Sequence, residues 1–262
     1  MRKLFFCLSL LLILNMNLAS QGDKFQHPGE IRDLYTVYEY KKSNWDGSHT
    51  SSIFLYISDS NRLESFKWTK GDKSATLVTA FIDWNSFSVN RFLNHRLRHR
   101  ADPQLVAVLE TRARDLWFEV GPFRDSMQLT SMPWHSYDFD LAGLGFSWRA
   151  LKNKRESFHF HIADAGQQEG KLAFLNKGRV LVNYLGEEEI NGQPTLKYKI
   201  DGEGLENKGG HIWIDPDSYM ILKYQIALPD EEGFDNAMLQ LVGKQEMSPA
   251  QWGAFLKNCL DD

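Results

Sequence analysis

Apolar and polar residues alternate along the first third of the chain with the period of two that is typical of β-strands. Such alternation, or a short apolar run, occurs at residues 34–40, 53–57, 63–68 and 76–82. Turn residues separate these segments at intervals of about 10 to 15 residues, a spacing that favours an antiparallel meander, sandwich or barrel. Strands do not alternate with helices here, so the pattern does not predict a parallel sheet.

The last third of the chain continues the pattern, and residues 157–163 predict a strand in which apolar residues alternate with two histidines. Asn191-Gly192 is a strong signal for a hairpin turn. Further strands are predicted at residues 180–185, 195–200, 212–214, 220–228 and 237–242. We therefore predict a mainly β fold, in which an antiparallel meander forms a strongly curved sheet or incomplete barrel with a C-terminal α-helix.

The middle of the chain is less clearly patterned. Residues 102–116 fit a buried strand or a helix that begins at Asp102-Pro103, and we favour the strand. Residues 141–151 fit a short helix or an irregular connection. No linker or internal repeat divides the chain, so we expect one β-rich domain over residues 20–262. Two β subdomains divided near residues 150–156 are the alternative.

The predicted C-terminal helix has clear start signals. Ser248 is placed as the N-cap, Pro249 as the first helical residue and Gln251 as the capping-box partner of Ser248. The apolar residues that follow at helical spacing are Trp252, Phe255, Leu256 and Cys259. We expect this apolar stripe to lie on the sheet.

The N-terminus has the features of a secretory signal peptide. Arg2 and Lys3 precede an apolar stretch that continues to Leu18, and Ala19-Ser20 offers a cleavage site. The stretch is shorter than the roughly 20 apolar residues that span a bilayer. We therefore predict a signal peptide over residues 1–19, a periplasmic or secreted protein, and no transmembrane anchor.

Composition and charge narrow the candidate functions. The chain has 262 residues, of which 13% are aromatic, and a formal net charge of −4. We therefore expect no nucleic-acid partner. Cleavage of the signal peptide would leave Cys259 as the one cysteine, which excludes an intramolecular disulfide and a cysteine zinc site. Common hydrolase and nucleotide-binding signatures do not occur, so the sequence identifies no cofactor and no catalytic residue.

Two histidines have the spacing that metal ligands on one strand would use. His159 and His161 would project from the same side of their strand. His135 or Asp138 could supply a third ligand, and this set defines the alternative prediction of a metal-dependent hydrolase. The simpler interpretation is that both histidines belong to the solvent face of an outer strand.

A basic run stands out in this acidic protein, and it contains Arg91, Arg96, Arg98 and Arg100. Guanidinium groups offer forked pairs of donors to carboxylates and phosphates. We predict an anion-binding patch at these arginines, with a solvated basic surface as the alternative.

Aromatic residues on the predicted strands are more numerous than a thin sandwich requires. A curved sheet with the terminal helix across its mouth could use these rings to line an apolar cavity suited to acyl chains. Ordinary core packing would account for the same residues. The predicted ligand-binding residues are Tyr38, Tyr56, Trp68, Trp117, Phe158, Phe160 and Trp213.

One segment carries a resemblance to known proteins. Residues 210–216 read Gly-His-Ile-Trp-Ile-Asp-Pro, and residues 219–224, Tyr-Met-Ile-Leu-Lys-Tyr, return as the next strand. With the signal peptide and the long meander, this segment resembles periplasmic proteins with an incomplete β-barrel, including lipoprotein-carrier-like proteins and several uncharacterised envelope families. The resemblance covers residues 178–243.

The resemblance implies a non-catalytic protein that binds an apolar or amphipathic envelope ligand, such as a lipid or a lipoprotein. A carbohydrate-binding or assembly module is a further alternative beside the hydrolase. The sequence leaves the oligomeric state open.

Overall fold

The computed structural model describes residues 24–113, 115–129, 132–136, 140–168, 171–229 and 233–261. The predicted signal peptide, residues 1–19, lies outside these residues. Strands dominate the described chain, as the alternating pattern predicts. No helix in this part of the chain is long and apolar enough to cross a membrane.

One sheet contains all fifteen strands that the described residues form. The strands are β1 (Thr36–Ser43), β2 (Ser51–Asp59), β3 (Arg62–Trp68), β4 (Ser74–Asp83), β5 (Ser88–Arg98), β6 (Gln104–Arg112), β7 (Asp115–Val120), β8 (Phe123–Gln128), β9 (Trp134–His135), β10 (Phe158–Gln168), β11 (Lys171–Ile190), β12 (Gln193–Asp201), β13 (Gly210–Ile214), β14 (Ile221–Ile226) and β15 (Ala237–Glu246). Their spatial order runs from β8 back to β1, then from β15 back to β9. Neighbouring strands are antiparallel except β9 and β10, which are parallel. The predicted mainly β, antiparallel fold is confirmed.

The structure shows the secondary structure of the two segments that the sequence pattern left open. Residues 104–112 and 115–120 form β6 and β7, so the favoured strand is confirmed between residues 102 and 116. The segment around residues 141–151 forms helix α1 (Asp140–Ser147), and a 3-10 helix follows at Trp148–Ala150. The short helix, rather than an irregular connection, is therefore the observed structure.

The sheet is strongly curved but not closed. Phe118 of β7 stacks on Phe174 of β11 with 5.2 Å between ring centroids, although the two strands lie near opposite ends of the strand order. The carboxylate of Asp125 in β8 also accepts a hydrogen bond from the backbone N–H of Phe174 at 3.3 Å. Because the two ends of the sheet meet in this way, one face is turned inward and the other outward.

The inner face builds the larger hydrophobic core. Segments outside the main strands fill the space within the curve, and the rings of Phe87, Trp134, Phe146 and Trp148 are fully buried there. Phe25, from the segment before β1, stacks on Phe87 at 4.5 Å. The interior is thus occupied by the protein's own side chains, which differs from the apolar cavity that the surplus of rings suggested.

Helix α2 (Pro249–Asp261) packs on the outer face instead of lying across the mouth of the curve. Its start is the predicted capping box, since Gln251 N–H donates to Ser248 Oγ and Ser248 N–H donates to Gln251 Oε1. Trp252 stacks on Tyr56 of β2 at 4.9 Å, and the Trp252 indole N–H donates to Glu64 of β3 at 2.7 Å. The prediction that the terminal helix covers apolar sheet surface is confirmed, although the covered face is the outer one.

Candidate functional site

The predicted basic run lies on strand β5 and in the turn after it, and the structure divides its arginines between two faces. Arg96 and Arg98 pair in register with Thr76 and Ser74 of β4. These positions alternate with outer-face residues and share their side with Val78, which belongs to the inner core. Arg96 and Arg98 therefore project from the inner face, at the end of the sheet where β5 finishes.

The other two arginines lie elsewhere. Arg91 pairs with Phe81 of β4 and Glu110 of β6, on the outer face of the sheet. Arg100 follows β5 in a turn, where its backbone has a positive φ of 54°. The predicted patch is therefore not a single surface, and Arg91 is separated from the remaining three arginines.

Arg96 and Arg98 line a polar pocket of about 480 Å³. Hydroxyl groups, one carboxylate, one ammonium group, one indole and two apolar side chains complete its walls: Ser51, Thr69, Ser74, Thr76, Asp72, Lys67, Trp68, Ile53 and Ala75. None of the ion pairs formed by the described residues includes Arg96 or Arg98. Their guanidinium groups are therefore available as donors to an anion in this pocket.

An apolar groove of about 490 Å³ lies against helix α2. The side chains of Leu77, Leu97, Leu256 and Leu260 form its apolar surface. Its charged lining comprises Arg98, Arg100, Lys257, Asp102 and Asp261, and Asp261 is already paired with the imidazole of His99 at 2.8 Å. The groove thus combines an apolar floor with a mainly cationic rim.

Arg98 lines both the polar pocket and the apolar groove. Leu97 beside it points to the outer face with Ala75 and lines only the groove, so the end of β5 gives the groove an aliphatic side chain next to the charge of Arg98. An apolar chain could lie along the leucines while an anionic group bound the arginines. The residues that line the two spaces include no histidine or cysteine in the described chain.

The structure does not bring the predicted metal ligands together. His159 and His161 share the outer side of β10, with 6.0 Å between their ring centroids. His135 pairs in register with Ile162, a residue of the inner core, so its ring lies on the opposite face of the sheet. Asp138 lies outside the described residues. Within them, no cluster of three or more His, Cys, Asp or Glu side chains could hold a metal ion.

His135 instead has the environment of a core residue. Its Nε2 lies 2.9 Å from the carbonyl oxygen of Phe87, which can only accept, so this nitrogen carries the proton. The ring contacts Phe87 and Phe160 edge-on, each at 5.1 Å. Burial lowers the pKa of His135 to about 4, against a smaller opposing effect of its hydrogen bond. His135 is therefore neutral at physiological pH.

The seven predicted aromatic residues do not line a common space. Tyr38, Phe158 and Phe160 belong to the inner core, whereas Tyr56 and Trp68 pack beneath helix α2 on the outer face. Of the seven, only Trp68 lines the polar pocket of Arg96 and Arg98.

The remaining two of the seven residues, Trp117 and Trp213, contact cations elsewhere on the sheet. Trp213 lies between Lys197 and Lys223, each 5.3 Å from its ring, and Trp117 contacts Arg112 at 5.2 Å. The rings as a set therefore serve core packing and cation–π contacts, and they do not form one acyl-chain cavity.

Sequence reasoning missed a further cleft, of about 740 Å³, at the other end of the sheet. Its wall includes Asp33 and Arg149, which form an ion pair, and Lys154. Burial and the nearby charge of Arg149 lower the pKa of Lys154 to about 8. Asp33 and Lys154 lie far apart in the sequence, so no local motif marks this cleft.

Comparisons with protein-family models and with curated proteins give no match. Among solved structures, the chain is similar to one provisionally described as an outer membrane lipoprotein-sorting protein domain from Vibrio parahaemolyticus. That similarity has 13% identity and a TM-score of 0.23, and it covers 87% of this chain and 91% of the other. A DUF1329 family protein from Desulfovibrio piger ATCC 29098 is 8% identical with a TM-score of 0.24, covering 89% of this chain and 95% of the other.

Both similarities extend over most of the chain. At such low TM-scores, the function has to be inferred from the site itself.

Proposed function

We propose that this protein is an exported, non-catalytic binding protein for an anionic amphiphile of the cell envelope, a molecule with one alkyl chain and a negatively charged head. The observation that carries the proposal is the position of Arg98, which lines a polar pocket on one side and an apolar groove on the other. Arg96 and Arg100 extend the basic surface along these two spaces.

In this proposal the apolar groove binds the alkyl chain and the arginines of the polar pocket bind the anionic head. Each CH2 group that leaves water for the groove formed by Leu77, Leu97, Leu256 and Leu260 would contribute about 0.8 kcal/mol. A guanidinium group can bind a carboxylate or phosphate through two parallel hydrogen bonds, which are stronger than neutral ones. A ligand with both parts would therefore bind more tightly than either part alone.

Export is the second part of the proposal, and it rests on residues 1–19. The short basic segment and the apolar run have the order of a signal peptide. Intact-mass analysis of the protein from the producing cell should give a chain that begins between Ala19 and Gly22. Soluble protein that retains Met1 would contradict export.

Calorimetric titration with three probes tests the ligand class. Laurate supplies a chain and a negative head, dodecyl maltoside a chain with a neutral head, and acetate a charge without a chain. We expect saturable binding of laurate, with clearly weaker binding of dodecyl maltoside and acetate. Equal binding of laurate and dodecyl maltoside would show that the arginines do not select the ligand, and would contradict the proposal.

Two pairs of variants locate the site. Arg98→Gln should weaken laurate binding by roughly tenfold or more, since a hydrogen bond to a charged group contributes about 1.5–3 kcal/mol. Arg91→Gln is the matched control, because Arg91 lies on the same strand but on the other face. Equal effects of the two changes would place the anion elsewhere.

Gly253 allows the groove to be filled without disturbing the fold. It lines the groove, and an added Cβ would meet no atom within 4 Å. Gly253→Phe should therefore abolish laurate binding, while Ala254→Phe adds the same ring at an exposed helix position and should not. Unchanged binding in Gly253→Phe would exclude the groove as the chain site.

A further inference from the structure

The cleft of about 740 Å³ lies at the end of the sheet opposite to the proposed amphiphile site. Because neighbouring strands are antiparallel, β1, β3 and β5 run in the same direction. The cleft is lined by the segment that precedes β1, whereas Arg98 is the last residue of β5. The two sites are therefore separated by the length of the strands.

Three exposed cations from separate elements line this cleft. Arg32 comes from the segment before β1, Lys152 from the connection between α1 and β10, and Lys244 from β15. In the described chain, none of the three belongs to an ion pair. The Lys244 ammonium lies 5.1 Å from the centre of the Tyr38 ring, and no carboxylate of the described chain neutralises any of the three charges.

The charge balance of the cleft is positive in a protein whose net charge is negative. Asp33 and Arg149 neutralise one another in their ion pair. The remaining cations are Arg32, Lys152, Lys154 and Lys244, and the remaining acids are Glu30 and Asp217. This excess matches an anion that carries two negative charges.

We infer that this cleft is a second binding site, which takes a phosphate monoester group through Arg32, Lys152 and Lys244. A phosphate monoester carries close to two negative charges and three acceptor oxygens at neutral pH. Three donors from three elements can surround such a group, with Arg32 supplying a forked pair of N–H donors and the lysines single charges. The inference goes beyond the amphiphile site and does not depend on it.

Lys154 gives the site a second measurable property. Its ammonium group donates to the carbonyl oxygens of Arg149 and Leu151 and lies 4.5 Å from the ring of Tyr219. These contacts hold a half-buried charge at the cleft, and burial with the charge of Arg149 lowers its pKa to about 8. A bound dianion would favour the charged form, so binding at pH 8 should be accompanied by proton uptake.

The phosphate group could belong to a free metabolite or to a lipid headgroup, and the probes distinguish these sources. The titrations use glycerol 3-phosphate, dihexanoyl phosphatidic acid and glycerol. We expect both phosphates to bind and glycerol not to bind. If the protein binds the phosphatidic acid more tightly than glycerol 3-phosphate, and Gly253→Phe does not change that binding, the ligand is a lipid headgroup. Equal affinities for the two phosphates would indicate a free phosphate monoester.

The double variant Lys152→Gln with Lys244→Gln should weaken glycerol 3-phosphate binding at least tenfold. Lys41→Gln with Lys177→Gln removes the same charge from exposed positions outside the cleft and serves as the control. Titration at pH 8 in two buffers of different ionisation enthalpy should show proton uptake by the native protein. The inference is overturned by any of three results. These are no binding of glycerol 3-phosphate, an equal weakening of its binding by the control double variant, or binding without proton uptake.

Weaker laurate binding in Arg98→Gln, with glycerol 3-phosphate binding intact, is expected if both sites exist. If laurate does not bind the native protein at all, the proposed function fails while this inference stands on the phosphate titration alone.

Discussion

Arg149 and Asp33, which are 116 residues apart, form a two-point ion pair in which both Nη atoms lie 2.6 Å from carboxylate oxygens. The side chains are only 7% and 12% exposed. Burial by itself would raise the pKa of Asp33, but the hydrogen bonds and charge of Arg149, together with the hydrogen bond that Tyr38 donates, lower the pKa. The pair joins the segment before β1 to the 3-10 helix at Trp148–Ala150.

Removing one partner of this pair should be costly. Arg149→Gln leaves the Asp33 carboxylate buried without its cation, and we expect the free energy of unfolding to fall by about 3–5 kcal/mol. Urea denaturation at pH 7 measures the change. The stabilisation that Asp33 contributes should be present above its ordinary pKa of 3.8 and should disappear as the pH falls below it, since the folded pKa is the lower one.

The exposed ion pair of Arg155 with Glu187 provides the control, because both side chains are more than half exposed. Arg155→Gln should have little effect on stability. If Arg149→Gln and Arg155→Gln lowered the free energy of unfolding by similar amounts, burial would not make the Arg149 ion pair more important for stability than the exposed one.

His135 should make the protein sensitive to mild acid. Its pKa is about 4 in the folded protein and 6.5 in the unfolded chain, so the unfolded state binds the proton more readily. Each tenfold difference in proton affinity is worth about 1.4 kcal/mol, so His135 should reduce stability by about 3 kcal/mol between pH 6.5 and 4. Urea denaturation of wild type and His135→Gln over this range should show a smaller pH dependence in the variant.

The exposed His27 supplies the matched change, since His27→Gln also removes one imidazole. Because that imidazole is exposed, its removal should change stability at pH 7 by no more than about 0.5 kcal/mol. Parallel curves for wild type and His135→Gln would mean that the His135 ring is not held neutral in the core.

Trp252 should be a major contributor to stability. Its ring is 3% exposed and contacts Tyr56, Phe66 and Phe255. Trp252→Ala would leave a large cavity beneath helix α2, and we expect a loss of about 3–5 kcal/mol by chemical denaturation. Leu185→Ala, at a side chain that is 53% exposed, should change stability by no more than about 0.5 kcal/mol. A Trp252 effect as small as that of Leu185 would contradict the packing of the helix on the sheet.

The histidine pair on β10 should not bind metal in a stoichiometric manner. His159 and His161 are on the outer face, and His135 is on the inner one, so the three rings cannot converge on an ion at ligand distances of about 2.0–2.2 Å. Metal analysis of the purified protein should find no zinc at one equivalent per chain. The double variant His159→Ala with His161→Ala should keep its fold and its binding of laurate.

One tightly held zinc per chain, lost in that double variant together with a hydrolytic activity, would restore the hydrolase hypothesis. In that case a ligand from outside the described residues, such as Asp138, would have to complete the site.

Local signals in the sequence were enough to predict most of the elements. Period-two alternation predicts strands because successive side chains on a strand point to opposite faces. The helix start at Ser248 is equally local, since the capping box joins residues three positions apart. The sequence also predicted an anion-binding patch at Arg91, Arg96, Arg98 and Arg100, and the structure separates Arg91 from the other three.

Only the tertiary structure decided which face each side chain occupies and what it meets there. His135 and His161 lie on adjacent strands but face opposite ways, a difference set by the register of β9 against β10. Arg91 is separated from Arg98 by alternation along β5, which is local, but the pairing of β5 with β4 decides that Arg98 and not Arg91 is on the inner face. Register depends on strand pairing between distant segments, which no local pattern specifies.

The sequence by itself determined a series of antiparallel strands and one capped helix. The spacing of the apolar residues and the capping box each act within a few residues, so both are local signals. Three further features depend on how strongly the sheet is curved. They are the contact of Phe118 with Phe174, the filling of the inner face, and the placement of α2 on the outer face. Asp33 and Arg149 meet only because that curl brings segments 116 residues apart together. Only the tertiary structure shows that Arg32, Lys152 and Lys244 line one cleft, since these residues are distant in sequence and share a surface only in the folded chain.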